Sequence, residues 1–399
     1  MALPLALSSY WNDWLDLLLR WLHVVAAIVW IGTSFYFVAL DNHLRPPSEA
    51  GEGVGGEAWE IHGGGFYRME KFAVAPGALP DPLHWFKWEA YTTWLSGFAL
   101  LVTLYYFHPQ LYLVDPSVAD LGSWEAIAIS IALLVVAWLV YDGLCRLLGG
   151  RELILAAAIV VAVAAAAYGV GHLFSGRGAY LQIGAMLGTI MAANVFFVII
   201  PGQRALVRAK EAGREPDPAY GIRGKQRSVH NNYLTLPVVF AMLGNHFSVA
   251  YGHSYAWAIL VAFMLIGAWI RHFFNLRHRG QTVWAIPATA AVGLIALAFA
   301  IRPGEETAPV VASGGHVSFA RVQQIVTARC VPCHSEHPSN SAFDAPPKGI
   351  AFDTAAEIHA RADQIDQQAV RSQAMPLGNA TGMTKAERGV LGAWIDQGR

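Results

Sequence analysis

Residues 153–174 read LILAAAIVVAVAAAAYGVGHLF, an unbroken apolar run without a charged side chain. About 20 such residues cross the hydrocarbon core of a bilayer as a helix, and a helix is the default because a span must satisfy its own backbone hydrogen bonds. The preceding run, 124–146, reads WEAIAISIALLVVAWLVYDGLCR and is also Ala/Ile/Val/Leu-rich, with almost no polar side chain. Working outward, six further runs lie at 15–40, 88–108, 179–200, 232–251, 256–275 and 282–301. The expectation is an all-α polytopic membrane bundle of eight transmembrane helices, in which Pro237 and Pro287 are tolerable kinks. Composition agrees. Of 399 residues 55% are hydrophobic and 14% charged, with a mean hydropathy of +0.39. Soluble domains carry about 25% charged residues. Disorder, a simple soluble enzyme and a nucleic-acid binder are excluded, and 27 basic against 28 acidic residues imply no partner by charge. The first ten residues lack a basic stretch and a cleavage signal, so no cleaved signal peptide is expected.

With the N-terminus outside, fifteen Lys/Arg fall in the inner loops, including Arg45, Arg68, Lys71, Arg204, Arg223 and Arg277. The outer segments hold only Arg177 and Arg302, which is a strong positive-inside bias. From Arg302 onward charged and small polar residues return to soluble frequency. Domains are therefore expected at 1–301 (membrane), 302–315 (linker) and 316–399 (a small module outside the cytoplasmic membrane, in a bacterium the periplasm).

That module carries Cys330-Val-Pro-Cys333-His334. Two thiols at this spacing on one helical turn can form thioethers to the two vinyls of one haem, with the adjacent His334 reaching the iron. A redox dithiol or half a zinc site are the competing readings; His337 and His359 give no tidy second zinc pair. A short helix over Phe319–Arg329 leads into the motif. Met375-Pro376 follows His334 by 41 residues, where a methionine loop returns to the distal face, and Met375 is preferred to Met383 as axial ligand. Thr384 to Glu387 is a capping box that opens a last helix with Val390, Leu391, Trp394 and Ile395 on one face. Together these features resemble a class I cytochrome c domain holding one covalent haem c.

Ionisable groups inside spans are functional candidates by default. They fall on two levels. His23, His172 and His246 lie near outer ends; His230 with Asn231 and Asn232, Arg271, His272 and Asn275 lie near inner ends, with Glu89 at the inner mouth of the second run. His23 and His246 share a depth and suit a non-covalent b-type haem, against the reading that each is a hydrogen-bonded packing residue. His108 and His253 read as ordinary interface residues, Cys145 as an inert thiol. The long loop 41–87 lacks phosphate-binding glycine spacing; its Gly63-Gly64-Gly65 and alternating Trp59/Ile61 read as a small hairpin.

The stretches Trp21–Leu40, Gly63–Lys71, Leu83–Gly97, His230–Pro237, Gly244-Asn245-His246 and Met375–Gly398 resemble the bacterial membrane-bound urate oxidases, or urate hydroxylases. The Trp21-Leu22-His23 and Trp30-Ile31-Gly32 pattern is also similar to small haem-handling membrane proteins, which favours His23 as a haem ligand. The resemblance implies oxidation of urate to 5-hydroxyisourate, with electrons passing to the haem c and on to a terminal cytochrome c oxidase or soluble cytochrome, without hydrogen peroxide. Such a site needs a cation, amides and a base: Glu89, His230, Asn231, Asn232 and Arg271 at the inner level, or Asn245 and His246 at the outer. The rival function is a quinol-oxidising membrane cytochrome without urate chemistry.

Overall fold

The computed structural model describes residues 9–49, 51–302 and 316–398. Beyond Arg302, the expected linker lies outside the described residues. The first helix, α1 (Ser9–His43), leads to an antiparallel hairpin, β1 (Val54–His62) and β2 (Gly65–Phe72). Gly63 and Gly64 occupy its turn at positive φ, which glycine adopts without a Cβ penalty. The hairpin is moored to the end of α1: Tyr36 donates to Glu60 at 2.8 Å and Lys71 pairs with Asp41 at 2.5 Å. The hairpin expected for this loop is present.

Each of the eight apolar runs falls on a helix. α2 (Trp88–Leu100) passes through a π-helical turn at Leu101–Tyr106 to the short α3 (Pro109–Tyr112). α4 (Ser123–Leu148) starts where Glu125 reaches back to the Gly122 N–H at 2.9 Å, and α5 (Glu152–Gly171) is the run quoted first. Ser175 caps α6 (Gly176–Ala193) by accepting from the Gly178 N–H, and the helix continues through a second π turn, Asn194–Ile199, into α7 (Ile200–Glu211). Asp217 caps α8 (Pro218–Gly244), which holds Pro237 inside it. α9 (Ser248–Tyr251), α10 (Ala256–His278) and α11 (Ala285–Ala300) complete the bundle.

Among the described residues, five helices are long and apolar enough to cross a membrane, at Tyr10–His43, Ser123–Leu148, Glu152–Gly171, Gly176–Glu211 and Ala256–His278. The core holds Tyr180, Phe174, Leu187 and Leu260, yet Leu153, Leu147 and Phe299 stand on the outside, 73–84% exposed. An apolar exterior on this scale marks a surface built for lipid rather than water. The run 124–146 is less apolar inside than its sequence suggests. Ser130 donates to Gln182 at 2.6 Å, and Asp142 pairs with Arg227 at 2.7 Å, all four side chains being buried.

Residues 316–398 have a core of their own. α12 (Phe319–Arg329) coincides with the helix expected there, and α13 (Ala355–Ala360) and α14 (Ala362–Ile365) lead to α15 (Lys385–Asp396). Val322, Ile325, Val326, Leu391 and Trp394 are buried between them. The expected capping box is present: Thr384 Oγ1 accepts from the Glu387 N–H at 3.2 Å and Glu387 accepts from the Thr384 N–H at 2.7 Å. This unit meets the bundle through residues 372–379. Gly378, at φ 57°, lies so close to the carbonyls of Gln110, Leu111 and Val114 that a Cβ would come within 2.9–3.0 Å of them. A Cβ on Gly252 would likewise collide with the Ser372 carbonyl.

Candidate functional site

Three constellations carry chemistry. The first lies in the C-terminal unit. The chain turns tightly after α12, with the Cys333 and His334 N–H groups donating to the Cys330 carbonyl at 3.1 and 2.9 Å. His334 Nδ1 donates to the Ile350 carbonyl at 2.9 Å, so the lone pair of the neutral ring lies on Nε2. Burial and then the neighbouring Cys333 push the Cys330 thiol up to about 12, and burial also raises Cys333, although Asn340 donates to its sulfur. Met375 is half-buried beside this core, while Met383 is only 3% exposed and packed within it. Buried Arg388 donates to the carbonyls of Met375 and Ala369, bracing the methionine loop.

The second constellation is a cavity of about 280 Å³ in the bundle, toward the end that meets the C-terminal unit. His23, His246 and Asn245 line it, with Trp94, Phe98 and several leucines as apolar walls and Arg20 and Arg177 as cations. His23 Nδ1 donates to the Thr93 carbonyl at 3.0 Å and lies 3.2 Å from Ser96 Oγ. Its ring presses on α2 at Gly97, where a Cβ would come within 2.8 Å of the ring; only glycine leaves room. His246 stands exposed at the rim. Asn245 is buried, and its Oδ1 has no protein partner. Arg20 escaped the sequence reading, although it forms an Arg20–Asp16 pair one turn apart inside an apolar run, and Arg177 was read only as an outer charge.

The third lies at the hairpin end, where α8 separates two polar clusters. On one side His230 Nδ1 meets Tyr141 at 2.8 Å and its Nε2 lies 3.9 Å from Glu152. Asn231 accepts from Asn194 at 2.8 Å, and Arg227 is neutralised by Asp142. On the other side Asn232 Oδ1 accepts from Arg271 Nε at 2.9 Å and from Asn275 Nδ2 at 3.1 Å. The candidates grouped at one level are thus split. His230 and Asn231 face α4 and α6; Asn232 faces α10. Glu89 sits half-buried in the first turn of α2 and joins neither cluster. His272 pairs with Tyr233 at 2.7 Å. His172 is exposed, its Nδ1 on the Tyr168 carbonyl, and is separate from His23. Cys145 is buried, 3.8 Å from His230.

No curated protein matches the chain, and no solved structure matches it. A family model described as urate oxidase N-terminal matches residues 9–302, which covers α1 through α11 and so contains both the cavity lined by His23 and the clusters on α8. With that match spanning well over half its length, the chain belongs to the urate oxidase N-terminal family.

Proposed function

We propose that this protein is a membrane-bound urate oxidase that converts urate to 5-hydroxyisourate in its helical bundle and delivers the electrons to a haem c in residues 316–399. The bundle crosses the bacterial cytoplasmic membrane eight times. The hairpin faces the cytosol, and the N-terminus and the C-terminal cytochrome c domain face the periplasm, a reading that the distribution of Lys and Arg supports. The balance is urate plus water giving 5-hydroxyisourate, two protons and two electrons, which leave for a terminal oxidase or soluble cytochrome without forming peroxide.

The observation that carries the redox part is a shared arrangement. His334 and His23 each fix the ring by donating Nδ1–H to a backbone carbonyl, the support that orients metal-ligating imidazoles. Cys330, Cys333, His334 and Met375 suit a covalent haem. His23 and His246, with apolar walls and the cations Arg20 and Arg177, suit a non-covalent b-type haem, whose apolar body carries carboxylates. Haem iron supplies a one-electron acceptor at each seat.

The chain's own residues do the rest. Arg388 holds the Met375 loop in place, and Gly378 lets that loop approach the bundle carbonyls closely. His230, linked to Tyr141 and lying near Glu152, takes protons toward the cytosolic face. Asn245 and His246 form the periplasmic rim. The test is to add urate to oxidised membranes and follow the reduced c-type absorption band. Urate-driven reduction supports the proposal. Reduction by quinol alone gives the protein to the quinol-oxidising reading.

A further inference from the structure

Among the described residues two arginines are buried at the hairpin end of the bundle, and one of them has a counter-ion. Arg227, 5% exposed, is neutralised by Asp142. Arg271 is 3% exposed, and among the described residues no carboxylate pairs with it. A buried charge is costly unless paired, and intramembrane ionisable groups that persist unpaired mark ligand or ion paths. The neighbouring atoms point the same way. Arg271 Nη2, Asn232 Nδ2 and Asn275 Oδ1 are all buried without a protein partner, giving two donors and one acceptor around one fixed cation. Asn232 and Asn275 are themselves 0% and 5% exposed. The guanidinium carbon lies 3.7 Å from the Phe35 ring centroid on α1, which fixes its plane.

We infer that Arg271, Asn232 and Asn275 form the seat of a planar purine monoanion, urate in the reading proposed above, on which this inference rests. The ligand supplies the missing negative charge. Its carbonyl oxygens accept from Arg271 Nη2 and Asn232 Nδ2, and a ring N–H donates to Asn275 Oδ1. A guanidinium fork and amide groups recognise a planar anion with donors and acceptors on one edge better than they do a halide. The three side chains lie between α8, α10 and Phe35 of α1.

The test uses full-length, haem-loaded protein and the variants Arg271→Met and Arg271→Lys. Arg271→Met is expected to raise the urate concentration for half-maximal haem c reduction by roughly 100-fold, as loss of one partner in a buried charge pair does. Reduction by dithionite should be unchanged. Its ligand-free Tm should equal or exceed that of the unsubstituted protein, because an unpaired buried charge has been removed. Arg271→Lys keeps the charge without the fork and should fold normally, with a smaller loss of about tenfold. Wild-type urate dependence in Arg271→Met overturns the seat. So does a lower Tm in both variants, which would make the arginine structural. If urate fails to reduce the unsubstituted protein, the functional reading falls, while the Tm comparison still reports whether Arg271 lacks a counter-ion.

Discussion

His334 and His23 are held in the same way by very different means. His334 takes its carbonyl from Ile350, 16 residues away in one small unit; His23 takes its own from Thr93, 70 residues away on another helix. The first seat is local, and its cysteines and histidine are adjacent in the chain. The second exists only when α1 packs on α2, with Gly97 giving the ring its space. A local seat survives damage elsewhere in the molecule; an assembled one fails when either helix shifts.

The largest expected effects separate the two seats. Cys330→Ser with Cys333→Ser should abolish covalent haem and with it all urate-driven c-band reduction, measured by pyridine haemochrome and difference spectra. His23→Ala should remove the non-covalent haem signal and leave the c-type signal at full stoichiometry; joint loss would break the distinction between them. Gly97→Val, which drives a side chain into the His23 ring, should mimic His23→Ala at the assembled seat alone. The interface comes next. Gly252→Val should weaken seating of the methionine loop and slow electron arrival at haem c several-fold, read by stopped-flow, without changing haem content. An unaltered rate would show that the contact with Ser372 carries no traffic.

The smallest effects concern stability of the C-terminal unit. Burial works against the Glu387 carboxylate, but hydrogen bonds from the Thr384 N–H and Arg329 outweigh it and hold its pKa below the ordinary carboxylate value. The folded pKa lies below the unfolded one. Its stabilising contribution is therefore present above the ordinary carboxylate range and is lost as pH falls through the folded value. Urea titrations of the full chain, followed at the c-type band, should show an acid slope that Glu387→Gln flattens. Thr384→Ala should cost about 1 kcal/mol in the same assay through loss of the cap.

Sequence periodicity carried much of the architecture, because a bilayer demands long apolar runs whatever surrounds them. Local signals also held: the hairpin glycines, the helix over Phe319–Arg329 and the Thr384 capping box all depend on neighbours within a few residues. What escaped is set by packing. A shared depth for His230, Asn231, Asn232 and Arg271 says nothing of azimuth, and adjacent residues on a helix face directions about 100° apart. Asn231 and Asn232 accordingly serve different clusters. Asp142 and Tyr141 were submerged in a hydrophobic run, and Arg177 entered only as a loop charge, since neither pattern tells which helix lies opposite.

The central claim is that urate oxidised in the bundle drains into haem c. An anaerobic titration of the oxidised, full-length protein with urate tests it most directly. Urate yields two electrons, so if each chain holds the proposed c-type and b-type haems, both bands should be fully reduced at one urate per chain, with no peroxide detected. A c-type band that stays oxidised under excess urate, yet reduces with dithionite, would contradict the account.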